Sequence, residues 1–418
     1  MEIPRSVLKR VFIRIKKIIN PILILFIVFL LSCKYKTKEM SDEEIWQQAN
    51  KICQNNIIID SHIDWPEWIL SNPEDISEKL QNGDFDLVRA NKGGLNAALS
   101  VIYISSDFNV EDGRLMVDSM MNIIKFYPKQ YPEKFAMARN PGEIKKNFRK
   151  KLFSLPLCLE NGSPIGNDLQ FLKHLKELGI VYITLCHNKT NQISDSNFDT
   201  LNRKWNGLSP FGIQVVNEMN HLGMIVDISH STDSTVFQAL RYSKAPIIAS
   251  HSSCRYFVPG FERNLSDTLI KAIANKNGVV MINFGSMFLD SICKKNSEDA
   301  VKWLTTNKVS MHSKEGGEFL REYIKTHKVY SDSKRIADHI DHIVKIAGID
   351  YVGLGSDFDG IGPTQPIDVQ DVSGYQVIVC ELLKRGYSEK NIRKILSGNF
   401  LRVWNEVINV ASSRIKGQ

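Results

Sequence analysis

His62 and Asp64 stand two residues apart in "NIIIDSHIDWPEW" (56–68), directly after a run of isoleucines. Residues two apart on a strand project from the same face, so an imidazole and a carboxylate leave this strand together. The habit recurs along the chain. "LPLCLEN" reaches Glu160, "VYITLCHN" reaches His187, "MIVDISHS" reaches His230, "PIIASHSS" reaches His251, and "YVGLGSDFDG" reaches Asp357 and Asp359. A lone strand-end histidine is more often a hydrogen-bonded structural residue than a ligand. A set of apolar runs that each end in His, Asp or Glu is hard to obtain by chance. Neutral imidazoles mixed with carboxylates suit zinc and neighbouring divalent ions, with Mn or Co also compatible. Three His, one Asp and one Glu exceed what one tetrahedral ion needs, but would serve two ions sharing a bridging carboxylate. Two ions ~3.5–4 Å apart lower the pKa of a bound water and support hydrolysis without a serine or cysteine nucleophile. In keeping with this, the chain has no G-x-S-x-G elbow and no G-x-x-x-x-G-K-[ST] loop. Asp60 and Asp227, one strand step inside the first and fourth of these ends, are either orienting partners or turn carboxylates.

The elements that must position these residues can be read from the same runs. Apolar stretches at 56–60, 96–104, 155–160, 181–187, 224–230, 246–251, 278–284 and 351–357 alternate with amphipathic helical stretches. "NDLQFLKHLKELG", "SPFGIQVVNEMNHLG" and "SDTLIKAIANKNG" combine helical spacing with start signals and a closing glycine. Apolar strands alternating with helices imply a parallel sheet covered on both faces. Eight such units predict an α/β fold of the closed (β/α)8 TIM-like barrel type, whose functional residues gather at the carboxyl ends of the strands. Residues 286–332, rich in Lys, Glu and Ser, read as an insertion after strand seven with a helix or two. The stretch from "DVSGYQVIVCELLKRGYSEKN" onward reads as a helical C-terminal cap.

The 418-residue chain carries a formal charge of +7, but six basic side chains against one acid lie within residues 1–32. The remainder is near neutral at +2, which offers no electrostatic footprint for nucleic acid. That leader joins a basic start to the short apolar core "PILILFIVFLL" and then to Leu30-Leu31-Ser32-Cys33, as a signal peptide does. The order resembles a bacterial lipobox. It predicts a lipoprotein signal over 1–32, lipid on Cys33, a tether over 33–44, and a barrel domain over 45–418 in the cell envelope. The other six cysteines are scattered, with no C-x-x-C pair, and are expected as buried free thiols.

The ordered set "DSHID", "LCLENG", "TLCHN", "GLSPFG", "ASHSS", "RN", "GLGSDFDG" and "ILSGNFLRVW" resembles the membrane (renal) dipeptidase family of binuclear zinc hydrolases, from about Ile57 to Trp404. The resemblance implies that His62 and Asp64 bind one zinc, that His230 and His251 hold a second, and that Glu160 bridges them. It implies that a hydroxide bridging the ions attacks the peptide carbonyl of a dipeptide, with tolerance for a C-terminal D-residue. His187 would bind the substrate carbonyl and stabilise the oxyanion. Asp357 would relay the proton, and Arg263 would grip the substrate carboxylate, with Arg255 as a rival clamp. A homodimer is also implied. Ser61 and Asn161 stand where the family usually has glycine. Alternatives on the same barrel are hydrolysis of an N-acyl amino acid, a lactone or a β-lactam-like amide, or a catalytically silent binding module.

Overall fold

The computed structural model describes residues 40–311 and 313–415. The predicted leader, Cys33 and most of the tether lie outside those residues. The first helix of the described residues, Asp42–Asn55, begins inside the predicted tether. Ser41 and Glu44 form a reciprocal capping box there: the Ser41 hydroxyl accepts from the Glu44 amide (3.2 Å) and the Glu44 carboxylate from the Ser41 amide (2.7 Å).

Ten parallel strands form one curled sheet: β1 (Ile59–Ile63), β2 (Ala97–Tyr103), β3 (Phe135–Met137), β4 (Phe153–Leu155), β5 (Leu157–Glu160), β6 (Ile180–Thr184), β7 (Ile225–Asp227), β8 (Ile248–Ala249), β9 (Val279–Ile282) and β10 (Val352–Leu354). Eight of them follow in sequence order, β1-β2-β5-β6-β7-β8-β9-β10. The ring closes where the Asp64 amide donates to the Phe358 carbonyl (2.9 Å) and the Asp357 amide to the His62 carbonyl (3.0 Å). This is the expected (β/α)8 arrangement. The first strand runs further than the isoleucine run suggested, so His62 lies within β1 rather than beyond it.

The short strands β3 and β4 extend the sheet from the start of β2, where Ala97 pairs with Ser154. They were not anticipated, since three residues are too few to show a period. Pro156, which has no N–H for a ladder, separates β4 from β5 within what reads as one apolar run.

Two of the three helices begin and end where their signals stand; the third, Asp267–Asn275, is capped by Ser266 but ends at Lys276, with Asn277 (φ +57°) rather than Gly278 in the left-handed conformation. Ser209 caps Pro210–Leu222 through the Gly212 amide, and that helix closes on Gly223 at φ +67°. Asp168 caps Leu169–Leu178, which closes on Gly179 at φ +101°. After β9, the seventh barrel strand, the insertion supplies helices Ser286–Leu289, Ser291–Thr306 and Lys314–Thr326. Of the C-terminal helices, the last (Asn399–Ile415) sets Phe400, Val403, Trp404 and Val407 in one core with Ile59, Ala97, Ile225, Ile248 and Val279. Those five residues lie at or near the beginnings of their strands, so this helix seals the amino end of the barrel and leaves the carboxyl end for polar residues. The six cysteines of the described residues are buried free thiols.

Trp404 is 1 % exposed in that plug. Trp404→Ala is expected to cost about 3–5 kcal/mol of unfolding free energy, read from the shift in a urea transition.

Candidate metal centre

Glu160, the last residue of β5 and 4 % exposed, occupies the middle of the carboxyl end. Its two oxygens face different groups. Oε1 lies 3.1 Å from His230 Nε2 and 3.2 Å from His251 Nε2. Oε2 lies 3.5 Å from His62 Nε2, which is itself 3.6 Å from Asp64 Oδ2. His187 Nε2 stands 3.9 Å from Oε1, and Asp357 Oδ1 3.9 Å from His62 Nε2. Ligand atoms of His62, Asp64 and Glu160 gather within 4.8 Å of one another, as do those of Glu160, His187 and His230, and those of His62, His251 and Asp357. The seven residues come from six different strand ends, and the barrel brings them to one place.

Local backbone geometry makes the convergence possible. His230 and Asp357 adopt the left-handed conformation (φ +66° and +64°), a cost that persists only where the surroundings enforce it. Asn161 does the same at φ +77°, and its amide donates to the Ile104 carbonyl at 3.0 Å. Asparagine tolerates this conformation better than most residues, which accounts for its presence where the family uses glycine. Ser61, the other departure, uses its hydroxyl to bond the Ser250 carbonyl (2.5 Å) and the Leu354 carbonyl (3.2 Å), joining β1 to strands β8 and β10. Gly360 is a strict requirement of space: a Cβ there would lie 2.4 Å from Asp64 Oδ2 and 2.6 Å from Asp357 Oδ1.

Hydrogen bonds beneath the cluster set the histidine tautomers. The Tyr182 hydroxyl donates to the Ser61 carbonyl (2.8 Å) and so accepts from His62 Nδ1 (2.7 Å), leaving the His62 Nε2 lone pair free. The Ser250 hydroxyl donates to Asp227 (2.7 Å) and accepts from His251 Nδ1 (2.7 Å), with the same result. Asp227 is therefore an orienting partner rather than a turn carboxylate. Asp60 accepts the amides of His62 (2.9 Å) and Ser356 (3.0 Å) and the Tyr375 hydroxyl, which ties β1 to the chain after β10. Asn283 donates to Asp357 Oδ2 at 2.7 Å. Tyr182, Ser250 and Asn283 escaped the sequence reading because their roles depend on neighbours from other strands.

Several polar atoms of the cluster are in the opposite condition. His62 Nε2 and both Asp64 carboxylate oxygens are buried without a hydrogen-bond partner, as are His187 Nδ1, His230 Nδ1 and Arg263 Nε. Burial, with Arg263 and His187 beside it, holds His230 well below the usual imidazole range; burial and His62 do the same to His251. Both are neutral and can offer lone pairs. Burial and then the charges of Glu160 and Asp357 push Asp64 well above the carboxylate range. Burial opposes ionisation of Glu160 too, but the imidazoles ranged around it, His62 and His187 foremost, outweigh it and hold the carboxyl well below its usual value. Crowded carboxylates, neutral imidazoles and unpartnered atoms in one buried cluster fit divalent cations, which would neutralise the former and coordinate the latter.

Arg263, 2 % exposed, reaches the cluster, with Nη1 2.8 Å from Ser252 Oγ and Nη2 3.1 Å from His230 Nε2. The rival Arg255 is engaged elsewhere, gripping both oxygens of Asp233 at 2.8 and 2.6 Å. Asp359 also turns away from the cluster: it exchanges backbone-to-carboxylate bonds with Asp84 at 2.6 and 2.9 Å, and burial together with Asp84 pushes it up to about 8.

The family profile of membrane dipeptidase (peptidase family M19) matches residues 46–416. The chain is 30 % identical over 373 residues to dipeptidase tcpJ of Claviceps purpurea, covering 85 % of this chain and 78 % of that protein. Its fold is similar to the probable dipeptidase PvdM from Pseudomonas aeruginosa, with a TM-score of 0.76, 26 % identity, and coverage of 88 % of this chain and 100 % of that one. A metallo peptidase from Rhodobacter sphaeroides, liganded with a phosphinate mimic of the dipeptide L-Ala-D-Ala, shares the fold with a TM-score of 0.70. It is 22 % identical, over 84 % of this chain and 100 % of that chain.

Tyr182→Phe removes the acceptor of His62 Nδ1 and keeps the ring. It is expected to weaken metal retention by about 10–100-fold in competition with a chelator, while the urea transition stays cooperative.

Proposed function

The chain belongs to the membrane dipeptidase family, a metal-dependent hydrolase family, and from that premise we propose how its own residues cleave a dipeptide. The observation that carries the reading is Glu160, whose two oxygens face separate imidazole and carboxylate groups. His62 and Asp64 on one side, His230 and His251 on the other, and Glu160 between them would hold two zinc ions. Zinc bound there supplies a water of lowered pKa and Lewis-acid polarisation of the scissile carbonyl.

The remaining steps fall to side chains. Arg263 receives the substrate's free carboxylate: its Nε is unpartnered, and the planar guanidinium fork matches a carboxylate in two parallel bonds. His187 is held below its usual pKa chiefly by burial, so it stands neutral beside Glu160 and donates a hydrogen bond to the carbonyl oxygen as charge develops on it. Asp357 has its carboxyl raised chiefly by burial and is anchored at Oδ2 by Asn283. It takes a proton from the attacking water and returns it to the leaving amine. The dipeptide-mimic complex of the Rhodobacter sphaeroides protein supports extending the substrate range to a C-terminal D-residue. The Leu30–Cys33 stretch supports a lipid-anchored protein of the bacterial cell envelope.

The test is elemental analysis of the purified chain alongside assays on L-L and L-D dipeptides, with and without chelator. About two ions per chain and chelator-sensitive cleavage are expected. Metal-loaded, folded protein that cleaves no dipeptide would send the reading to other amides. Arg263→Ala is expected to lower kcat/KM by about 100-fold or more, mainly through KM, because it removes a buried charge partner.

A further inference from the structure

Three phenylalanine rings from three separate loops meet beside the carboxylate clamp, and none of the steps above uses them. Phe198 follows β6, Phe261 lies two residues before Arg263, and Phe288 belongs to the first helix of the insertion, Ser286–Leu289. The ring centroids of Phe198 and His230 are 6.0 Å apart, those of Phe198 and Phe261 6.3 Å, and those of Phe261 and Phe288 5.6 Å. The Arg263 guanidinium lies 5.2 Å from the Phe288 ring, and its Nη2 lies 3.1 Å from His230 Nε2. These contacts close a circuit that starts at a proposed metal ligand and returns to it through the clamp.

Polar contacts hold the three loops that carry the rings. The Asn197 amide donates to the His230 carbonyl at 2.9 Å, which seats Phe198 beside that histidine. Arg203 donates to the carbonyls of Ser196 (3.3 Å) and Asn197 (3.1 Å) and pairs with Glu262, joining the loop of Phe198 to the loop of Phe261. The Asn264 side-chain amide holds the Phe288 carbonyl at 2.7 Å. Phe198 nevertheless stays 47 % exposed, and Phe261 and Phe288 are half-buried. Aromatic surface left open to water is stabilised when an apolar group covers it. Lys294, 5.0 Å from the Phe261 ring, is paired with Glu298, as Arg203 is with Glu262, so neither cation is left to attract an acidic group.

The clamp decides which part of a substrate meets these rings. In a dipeptide the free carboxylate and the C-terminal side chain hang from one carbon. Once Arg263 grips the carboxylate, that side chain must project close to Arg263, and the rings border Arg263 through Phe288 and His230 through Phe198. We propose that Phe198, Phe261 and Phe288 form the binding wall for the side chain of the substrate's C-terminal residue and select large apolar side chains there. This rests on the dipeptidase reading of the site. The insertion then acts in substrate choice through Phe288, the ring it adds next to the clamp.

The experiment measures kcat/KM of the metal-loaded full-length chain on Ala-Gly, Ala-Leu, Ala-Phe and Ala-Glu, with the C-terminal residue in both hands where it has one. Gly-Ala and Phe-Ala serve as controls for the N-terminal position. For the better-cleaved hand, Ala-Phe is expected to exceed Ala-Gly by about tenfold or more, mainly through KM, as filling an apolar pocket does. Ala-Glu is expected to gain nothing over Ala-Gly. In Phe198→Ala and Phe288→Ala, each checked for metal content, the ratio of Ala-Phe to Ala-Gly is expected to fall by about fivefold or more, while that of Phe-Ala to Gly-Ala moves less than about twofold. Calorimetric binding of phosphinate mimics of Ala-Gly and Ala-Phe is expected to shift in the same sense without turnover. A flat C-terminal series in the wild type, a ratio that neither variant moves, or an equal fall in both ratios overturns the inference while the dipeptidase reading stands. Absence of wild-type cleavage on every dipeptide overturns both.

Discussion

A carboxylate buried between imidazoles is the constraint on which this molecule depends. Glu160 is almost wholly removed from water, a position that costs several kcal/mol unless opposite charge and hydrogen bonds surround it. No single element can provide that environment. His62 comes from β1, His187 follows β6, His230 follows β7 and His251 follows β8, and each must arrive within about 4 Å of the same two oxygens. The closed barrel is the simplest way to bring so many strand ends to one point, and its plug at the opposite end lets that point stay polar.

Hydrogen-bond satisfaction divides the polar residues of the interior into two layers. Below the ligands, Asp60, Asp227, Tyr182, Ser250 and Ser61 bond one another, the backbone or the far nitrogens of the histidines. Above them, the Asp64 oxygens, His62 Nε2 and Arg263 Nε have no partner. The lower layer is structural: it fixes tautomers and closes the ring. The upper layer has no partners within the chain, which is the physical mark of groups whose partners arrive with a cation or a substrate.

The insertion is tied to this arrangement rather than simply draped over it. Phe288, at its start, lies 5.2 Å from the Arg263 guanidinium, and its carbonyl accepts the Asn264 amide at 2.7 Å. His339 in helix Ser333–Ile346 accepts from the Cys254 amide at 3.0 Å and donates to the Leu289 carbonyl at 2.9 Å. The loop that carries Arg263 and the base of the insertion are thus held by common bonds.

Much of this was legible in the residues alone. Apolar runs alternating with helical stretches identified the barrel strands, and the polar residues at their ends included all five proposed ligands, because strand burial and strand-end polarity are properties of short local stretches. The insertion after strand seven and the helix caps were legible for the same reason. Other features belong to pairs of residues far apart in the chain, and only the tertiary structure decided them. Local spacing could not choose between Arg263 and Arg255; the choice was made by Asp233, which occupies one and leaves the other. Tyr182 and Ser250 read as ordinary strand residues until His62 and His251 are set against them across the barrel. Asp359, beside Asp357 in the sequence, goes to Asp84 instead, because consecutive loop residues leave the backbone in different directions and meet different neighbours.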